Sequence, residues 1–477
     1  MRRNRLPLVL ALVVAPAVAQ SCPNRGLQQI NAANETPVHS AQISPDGEWI
    51  AYSWGAPTVS PGIRTQLRRF DGSQPTPVRT VLLGTFQVVD VTWRDSGTAQ
   101  ELFFTSATLL NGINSVYRAT LPPVTVQQDL VELSWIGLKL QAYPFKGTYC
   151  GVGTDNTNQN HLFWKTPGSS TKNVVLTTTD ALVAYEVDAT ERYLLYSRAR
   201  PIGSSVAEEL WRYDIVGQQH KRLTTGGPSL LWLSRGATFV NDAQNRDILQ
   251  SFGLQNQSPI RFALQTVEVN GALELHTNGV FEEFKELYGH PTQLANPATP
   301  KRWVLASGRD HATLMLDRIC LMPVDGGGEV VLDRQLSAYS GQSMDRDAKR
   351  IAMRNSLNTL FAMQTDRPLR IQPTARVGQT STLDQPVTAT EIGSVFFSGG
   401  VAPPVVIPPY CGSLELDPAT MFTLYSGLGD PSGAITVPIA IPNDPALRGT
   451  ALYFQGLRVD TITLAGDVSR LVRLRIL

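Results

Sequence analysis

HSAQISPDGEWIAYSW, residues 39–54, is the stretch of sequence that decides the fold. Two apolar runs flank the tetrapeptide SPDG at 44–47. Pro45 presets the backbone for a tight turn, Gly47 tolerates a positive φ angle, and Asp46 can accept hydrogen bonds from nearby backbone amides. The run after the turn is aromatic and apolar, which is typical of a β-strand. The stretch therefore predicts an antiparallel hairpin.

The order of strand, turn and strand recurs along the chain in degraded form. The clearest copy lies at 187–197 and is followed by the run LWRYD at 210–214. A period of about 40 to 50 residues with roughly four short strands per unit is typical of propeller blades, which need neighbours around a ring to bury both faces. Counted by their turns, the units begin near Ser44, Trp93, Tyr143, Val187, Leu233, Asn296 and Met344. The sequence therefore predicts an all-β protein with a propeller of about seven blades.

The SPDG turn and the strand after it resemble the TolB-like and WD40-like (PD40) β-propeller repeats of exported bacterial proteins. The first and fourth units carry this resemblance best. The fifth unit has lost its turn at 234–236, and we interpret the polar segment 281–287 as a short helix or loop that stretches the interval after it. The resemblance implies the propeller fold and assigns no chemistry.

Changes in composition divide the chain into four parts. Residues 398–410 are rich in Gly and Pro and predict a linker, and the short alternating runs after it predict a small β-sandwich. The tail resembles a C-terminal module found on exported proteins of large-genome bacteria. The predicted division is a signal peptide at 1–19, the propeller at 20–397, the linker at 398–410 and the sandwich at 411–477.

The first residues have the pattern of a secretory leader. Three arginines precede an apolar run at 6–14, and Ala17-Val18-Ala19 offers small residues at the cleavage site, which predicts a mature chain that begins at Gln20. The run is too short to span a membrane. We therefore expect a periplasmic or extracellular protein with no integral membrane span. A lipoprotein acylated on Cys22 is the alternative.

The charge balance excludes polyanion binding. The chain has 41 Lys+Arg and 40 Asp+Glu, and loss of the three leader arginines changes its formal charge from +1 to −2. Such a chain has no basic field for nucleic acid or an anionic membrane. We expect no nucleic-acid partner.

The four cysteines are far apart, so no thiolate metal site is predicted. Cys22 precedes the first strand and Cys411 follows the linker. Because a closed ring brings its first and last units together, we predict that Cys22 and Cys411 can form a disulfide. Cys150 and Cys320 belong to distant units and are predicted not to pair.

The sequence contains no local catalytic signature. It lacks a GxSxG elbow, an HExxH helix, a phosphate-binding Gly-rich loop and a Rossmann GxGxxG motif. Turn aspartates such as Asp46, Asp71 and Asp214 are interpreted as structural, because Asp at a turn bonds the local backbone. Residues 155–160 predict a polar hairpin and not a calcium loop. We therefore predict no catalytic residue, no metal and no cofactor.

Aromatic and imidazole side chains are expected where the innermost strands begin, at the mouth of the central channel. Such a funnel could bind a protein, a peptide, a glycan or a small ligand. The alternative is that these aromatics pack between blades. The predicted ligand-binding residues are His39, Trp135, Tyr185, Trp232, His290 and Tyr339.

Taken together, the patterns favour an exported, non-catalytic binding or scaffolding protein that uses the channel face of a propeller. Two alternatives stay open. One is a lyase-like or lactonase-like propeller enzyme with a channel metal, for which His39 and His290 alone are too few ligands. The other is a structural component of the cell surface that is attached through the tail module.

Overall fold

The structure is a computed structural model of the 477-residue chain. The predicted leader, Cys22 and His290 lie outside the described residues. The described residues are 27–476 except for 57–61, 82–89, 96–99, 107–113, 122–124, 141–147, 189–190, 203–204, 225–231, 240–247, 255–261, 268–272, 282, 289–302, 311–315, 324–327, 336–338, 346, 366–368, 373–374 and 431–432.

The described residues form seven antiparallel blades of four strands that follow one another along the chain; six are separate sheets, and the strands of blade 6 belong to a nine-stranded sheet that continues into the C-terminal strands. Blade 1 contains β2 (Val38–Ile43), β3 (Trp49–Trp54), β4 (Ile63–Arg69) and β5 (Thr76–Val81), and blade 2 contains β6 (Val91–Asp95), β7 (Gln100–Ser106), β8 (Ser115–Thr120) and β9 (Thr125–Val131). Blade 3 contains β10 (Trp135–Leu140), β11 (Tyr149–Asp155), β12 (Asn160–Lys165) and β13 (Asn173–Thr178), and blade 4 contains β14 (Ala181–Val187), β15 (Tyr193–Ile202), β16 (Ser205–Asp214) and β17 (Gln219–Arg222). Blade 5 contains β18 (Trp232–Phe239), β19 (Ile248–Leu254), β20 (Phe262–Val267) and β21 (Leu273–Phe281), and blade 6 contains β22 (Glu283–Tyr288), β23 (Trp303–Asp310), β24 (Leu316–Pro323) and β25 (Glu329–Gln335). Blade 7 contains β26 (Tyr339–Met344), β27 (Arg350–Asn355), β28 (Leu360–Gln364) and, from the other end of the chain, β1 (Gln28–Gln29).

The ring closes between blade 7 and blade 1. Neighbouring blades contact each other around the ring, and the first strand of blade 1, β2, contacts both β6 and β26. Blade 7 takes its outermost strand from the N-terminal segment, where Gln28 lies opposite Ala362 and Gln29 opposite Phe361. The predicted all-β propeller of about seven blades is therefore confirmed.

Both faces of a blade are buried, and the sequence of each second strand reflects this. On β7, Phe103 packs against Tyr149 and Phe163 of blade 3, whereas its neighbour Phe104 packs into the core shared with blade 1. Successive side chains of a strand point to opposite faces, so two adjacent apolar residues serve two interfaces. Burying each phenylalanine contributes about 1.5 to 3 kcal/mol.

One segment interpreted from the sequence as a polar helix or loop is a strand. Residues 283–288 form β22, the first strand of blade 6, and it pairs with β23 through Phe284 opposite Gly308 and Leu287 opposite Ala306.

The C-terminal part of the chain forms a sandwich-like module of short strands. One sheet contains β29 (Arg370–Gln372), β30 (Thr380–Pro386) and β35 (Ala434–Ala440). The other contains β31 (Glu391–Ser398), β34 (Phe422–Leu428), β36 (Ala451–Asp460), β37 (Gly466–Val468) and β38 (Val472–Arg475). A hairpin of β32 (Val401–Val406) and β33 (Ser413–Leu416) and a 3-10 turn at Pro445–Leu447 complete the module.

Two details of the predicted division are wrong. Strands β29, β30 and β31 precede residue 398 but pair with strands of the module, so the last strand of the propeller in this part of the chain is β28. The predicted linker is also wrong over Val401–Val406, which forms a strand that pairs with β33. Its two prolines are tolerated because β32 has a partner on one side only among the described residues.

The C-terminal module packs directly against the propeller and shares a sheet and an apolar core with it. Strand β38 pairs with β25 of blade 6, and Val330 lies opposite Val472. One apolar core runs from Leu321 and Met353 of the propeller to Val395 and Phe454 of the module. The Arg470 guanidinium donates to the carbonyl oxygens of Leu332 and Gln364, at 2.8 and 3.0 Å.

Cys150 and Cys320 are buried thiols, which agrees with the expectation that they do not pair. Cys411 is in a disulfide. Because Cys22 lies outside the described residues, its pairing with Cys411 stays a prediction, and peptide mapping of the unreduced protein would test it. Within the described part of the chain, none of the helical segments has the length and hydropathy of a membrane span.

Candidate functional site

The turn aspartates bond their own backbone. Asp46 Oδ1 accepts a hydrogen bond from the Glu48 amide at 2.9 Å, and Gly47 has φ +76°. Asp71 accepts from the Ser73 amide, and Asp214 accepts from the Gly217 amide at 2.9 Å. These contacts agree with the structural role predicted for all three residues.

The polar hairpin of blade 3 is also confirmed. Asp155 Oδ1 accepts from the amides of Thr157 and Gln159, and its other oxygen lies 3.0 Å from His161 Nε2. His161 stacks on Trp135, with ring centroids 5.8 Å apart. Both oxygens of Asp155 therefore have partners within the hairpin.

Trp135 does not line the channel. Its side chain is 4% exposed and packs with Phe163 in the core between blades 2 and 3. A side chain at Gly153 would collide with the indole, because a Cβ there would lie 2.3 Å from the ring. The prediction of Trp135 as a ligand-binding residue is therefore wrong, and the alternative that it packs between blades is correct.

Of the other predicted aromatics, only Tyr185 has a side chain that the structure describes. Tyr185 on β14 is partly buried and packs on the core shared by blades 4 and 5. Trp232 and Tyr339 are the first residues of β18 and β26, and their side chains lie outside the described part of the chain, as does His290. A channel role for Trp232, His290 and Tyr339 stays a prediction.

His39 does lie on an innermost strand. It is the second residue of β2, its ring is half-buried, and Nε2 lies 2.6 Å from the Gly55 carbonyl oxygen. A carbonyl oxygen can only accept, so Nε2 carries the proton and Nδ1 is the bare nitrogen of the neutral ring. Burial, together with the nearby charge of Arg354, lowers the pKa of His39 below its usual range. His39 is therefore neutral at pH 7.

Arg354 reaches the innermost strands from β27. Its Nη1 donates to the Val38 carbonyl oxygen on β2 at 3.0 Å. The guanidinium crosses β26 at Gly341, where the residue has φ +56° and a Cβ would lie 2.7 Å from Arg354 Nε. Any other residue at 341 would obstruct this path.

Asp90 and Lys139 complete the group on blades 2 and 3. Asp90 directly precedes β6, and its Oδ2 accepts from the Leu140 amide of β10 at 3.2 Å. Burial raises the pKa of Asp90 to about 7, although the charges of Lys139 and Arg354 oppose that rise. Lys139 on β10 is exposed. We call His39, Asp90, Lys139 and Arg354 the inner cluster.

The inner cluster can attract an anion. It combines two cations with a neutral imidazole and a carboxyl group that titrates near neutral pH. A perturbed carboxyl flanked by opposite charges is typical of a binding or catalytic site. Within the described residues, no three His, Cys, Asp or Glu side chains are grouped closely enough to hold a metal ion.

Sequence reasoning found His39 and missed the other three members. Asp90, Lys139 and Arg354 lie 51, 100 and 315 positions from His39, and no local motif joins them. The available signal was a charge inside an otherwise apolar or small-residue strand, as for Lys139 in WIGLKL; Arg354 has no such signal, because RIAMRN contains a second arginine and an asparagine. A lysine or arginine in such a strand needs a partner or access to water.

No protein-family model matches the chain, and no curated protein matches it. Among solved structures, oligogalacturonate lyase from Vibrio parahaemolyticus is 9% identical with a TM-score of 0.53 over 71% of this chain and 93% of that chain. An oligogalacturonate lyase in complex with manganese is 12% identical with a TM-score of 0.50 over 71% and 96%. TolB from Acinetobacter baumannii is 14% identical with a TM-score of 0.38 over 68% and 65%.

These similarities concern the fold. Both lyases are propeller proteins, and at their low identity they support the propeller architecture alone. The TM-score to TolB is too low to carry an argument, so the TolB-like resemblance of the repeats stays a hypothesis.

Proposed function

We propose that this protein is an exported binding protein whose propeller takes up an anionic, carboxylate-bearing ligand at the inner cluster. The observation that carries this proposal is the convergence of Arg354, Lys139, Asp90 and His39 from blades 7, 3, 2 and 1. Four blades each contribute one member, and the charge of Arg354 acts on both His39 and Asp90, as the charge of Lys139 acts on Asp90. Concave sites between structural elements are common ligand sites.

The members of the inner cluster suit a carboxylate in different ways. The planar guanidinium of Arg354 can donate two parallel hydrogen bonds to a carboxylate, and the ammonium group of Lys139 adds a point charge. Asp90, with a pKa of about 7, is partly protonated at neutral pH and can then donate a hydrogen bond. A neutral ligand would gain nothing from the charges of Arg354 and Lys139.

Calorimetric titration with trigalacturonate tests the proposal, and its methyl ester is the matched neutral probe. We choose this acidic sugar because the structures of similar fold are lyases of oligogalacturonate. We expect trigalacturonate to bind and the ester to bind at least tenfold more weakly. Equal binding of the acid and the ester, or no binding of either, would contradict the proposal for this ligand class.

Variants locate the binding. Arg354→Gln and Lys139→Gln should each weaken binding of the acid about tenfold, which corresponds to about 1.4 kcal/mol. Lys349→Gln is the matched control, because Lys349 is 66% exposed and pairs with Asp347 in a turn of blade 7. Its affinity should be unchanged.

Export of the chain belongs to the same proposal. It rests on the leader pattern of residues 1–19 and on the resemblance of the repeats to exported propellers. Mass spectrometry of the mature protein should find Gln20 at the N-terminus. A retained Met1 or a lipid on Cys22 would contradict this prediction.

A lyase is the second candidate, and His39 is the observation that favours it. With Nε2 held by the Gly55 carbonyl, Nδ1 can take the proton from the carbon next to a carboxylate that Arg354 and Lys139 bind. The C–O bond at the following carbon then breaks, a C=C bond forms, and the leaving oxygen takes a proton from Asp90 or water. New ultraviolet absorbance from the unsaturated product would support a lyase, and binding without it would support a binding protein.

A further inference from the structure

The C-terminal module presents an edge strand that is apolar and exposed. Among the described residues, β34 is the last strand of its sheet and pairs with β31 only. Phe422 is 60% exposed and Leu428 is 59% exposed, and Leu424 and Tyr425 are also exposed. We call Phe422, Leu424, Tyr425 and Leu428 on β34 the apolar edge.

The outer strand of blade 4 shows how the same chain treats another exposed edge. Strand β17 reads QHKR and is exposed along its whole length. Its charged side chains discourage pairing with other strands, which is the usual protection of an edge. Strand β34 reads FTLYSGL and has no charge. The apolar edge therefore lacks the protection that β17 has.

The sequence around the apolar edge has no basic residue at all. Between Arg376 and Arg448 there is no lysine, arginine or histidine, whereas there are six acidic residues. Two of them flank β34 directly. Asp417 stands in the turn before the strand, and Asp430 stands just after it and is exposed. The edge is therefore an apolar stretch between two carboxylates.

We propose that the apolar edge is a docking site for an extended segment of a partner protein, which adds to the sheet as one more strand and carries Lys or Arg on both sides of an apolar core. Backbone hydrogen bonds along β34 would supply affinity, and alternate side chains would supply selectivity. The flanking cations of the partner would pair with Asp417 and Asp430. This surface is separate from the inner cluster, so the proposal is independent of the ligand that the propeller takes.

A second copy of the chain fits the apolar edge less well. Antiparallel pairing of β34 with β34 of another copy would bring Asp430 of one copy beside the start of the strand in the other, where Asp417 lies. Like charges at both ends of such a pair oppose association. A basic segment removes this repulsion and replaces it with attraction.

Fluorescence anisotropy with two labelled peptides tests the proposal on the full mature chain. Both peptides have a seven-residue core of alternating Val and Thr, and one has two lysines at each end whereas the other has two glutamates. We expect the lysine peptide to bind at least tenfold more tightly, with an affinity that falls as salt is raised. Equal affinity for the two peptides, or no binding of the lysine peptide, would overturn the proposal.

Substitutions on and beside β34, with a control elsewhere, test whether the peptide binds at this strand. Leu424→Lys should weaken binding of the lysine peptide at least tenfold, whereas Leu357→Lys, at a 76% exposed leucine of a blade 7 turn, should leave it unchanged. The double variant D417N/D430N should reduce the preference for lysine flanks severalfold, and Asn retains the side-chain oxygen that accepts from the amides of Ala419 and Ala434.

Two further measurements keep the test decisive. If Leu424→Lys does not fold, hydrogen exchange on the wild-type chain should show protection of 422–428 when the lysine peptide is added. Protection elsewhere would overturn the proposal. Light scattering of the wild-type chain should give a monomer mass, and a dimer that Leu424→Lys dissociates would assign the edge to a second copy instead.

Discussion

Two polar clusters of the propeller contain similar residue types but differ in burial and in the pKa of their carboxyl group. Between blades 2 and 3, Asp129 accepts hydrogen bonds from Lys165 Nζ at 2.8 Å, from the Tyr149 hydroxyl at 2.7 Å and from the Gly168 amide at 2.7 Å. The side chains of Asp129 and Lys165 are 3% and 1% exposed. We call this group the clasp. The inner cluster likewise combines a carboxyl with basic side chains, but Lys139 is exposed and Asp90 titrates near neutral pH.

The two clusters differ in how fully the buried carboxyl group is compensated by its hydrogen bonds and neighbouring charges. In the clasp, burial works against the charge of Asp129, yet the bonds from Lys165, Gly168 and Tyr149 outweigh it and lower the pKa of the carboxyl. In the inner cluster, burial outweighs the neighbouring charges and raises the pKa of Asp90. A fully satisfied buried network holds blades together, whereas a partly compensated one retains capacity for a ligand.

Breaking the clasp should have the largest effect. Asp129→Asn leaves the Lys165 ammonium buried without a counter-charge, which destabilises proteins by about 3 to 5 kcal/mol. Lys165→Met should have a cost of similar size, because it leaves a buried carboxylate. The midpoint of denaturant unfolding, followed by tryptophan fluorescence, measures both effects.

The double variant D129N/K165M separates charge from packing. It removes both charges, so it should be more stable than the sum of the single effects implies. Neither single variant should change the affinity of the inner cluster for its ligand. Single effects below about 1 kcal/mol, or a loss of ligand affinity, would contradict the comparison of clasp and inner cluster.

A second closed network should give a smaller effect. Glu35 accepts from the Ala32 amide, the Tyr52 hydroxyl, Gln66 Nε2 and Arg68, and so fixes the N-terminal segment that supplies β1 to blade 7. Glu35→Gln replaces a carboxylate by an amide and should cost about 2 kcal/mol, the scale of hydrogen bonds to a charged group.

The pH dependence of the Glu35 network has a defined sign. Burial opposes the charge of Glu35, but its bonds to Ala32 and Arg68 outweigh burial and lower its pKa. This stabilisation is present above the ordinary carboxyl pKa and is lost as the pH falls through the lowered value. The free energy of unfolding should therefore fall more steeply with acid in wild type than in Glu35→Gln, so the stability difference between the two proteins should shrink at low pH. A stability difference that is the same at every pH would contradict this.

The repeats predicted the ring because turn chemistry is local. SPDG at 44–47 predicts its hairpin without knowledge of any neighbour. In this turn Ser44 Oγ accepts from the Trp49 amide, and Asp188 and Asp345 take the place of Ser44 in later units, where they accept from the amides of Tyr193 and Arg350. The end of the propeller could not be predicted in this way. Residues 380–386 and 391–398 alternate as blade strands do, and only their pairing with β35 and β36 assigns them to the module.

The candidate site was less predictable for a related reason. Trp135 stands at the start of a first strand, as a channel residue would, but strand position does not tell which face a side chain takes. Here the indole turns onto Phe163, with ring centroids 5.3 Å apart, because Gly153 leaves room for it. Arg354 is on a second strand, and it reaches the inner strands only because residue 341 is glycine. The positions of Trp135 and Arg354 thus each depend on a glycine in a neighbouring strand, and no local sequence pattern joins the two residues of either pair.

The titration of Asp90 tests the inner cluster. Asp90 has a pKa of about 7 against an ordinary 3.8, raised by burial and opposed by Lys139 and Arg354. Between these two values the unfolded chain has lost a proton that the folded chain retains, so stability falls as the pH rises from about 4 to 7. Asp345, whose pKa is raised to about 6, contributes with the same sign, so only the difference between wild type and Asp90→Asn reports Asp90.

Ligand binding should follow the same titration. As the pH rises from 6 to 8, Asp90 gains a negative charge beside Arg354 and Lys139, so the affinity for trigalacturonate should fall by up to about tenfold, or about 1.4 kcal/mol. His39 has a lowered pKa, which moves its titration toward acid, and it is present in wild type and in Asp90→Asn alike, so the comparison of the two proteins isolates Asp90. Asp90→Asn carries no charge at any pH, and its affinity should stay level across the range. Calorimetric titrations of both proteins at several pH values measure this, and a parallel fall in the variant would remove Asp90 from the inner cluster as the titrating group.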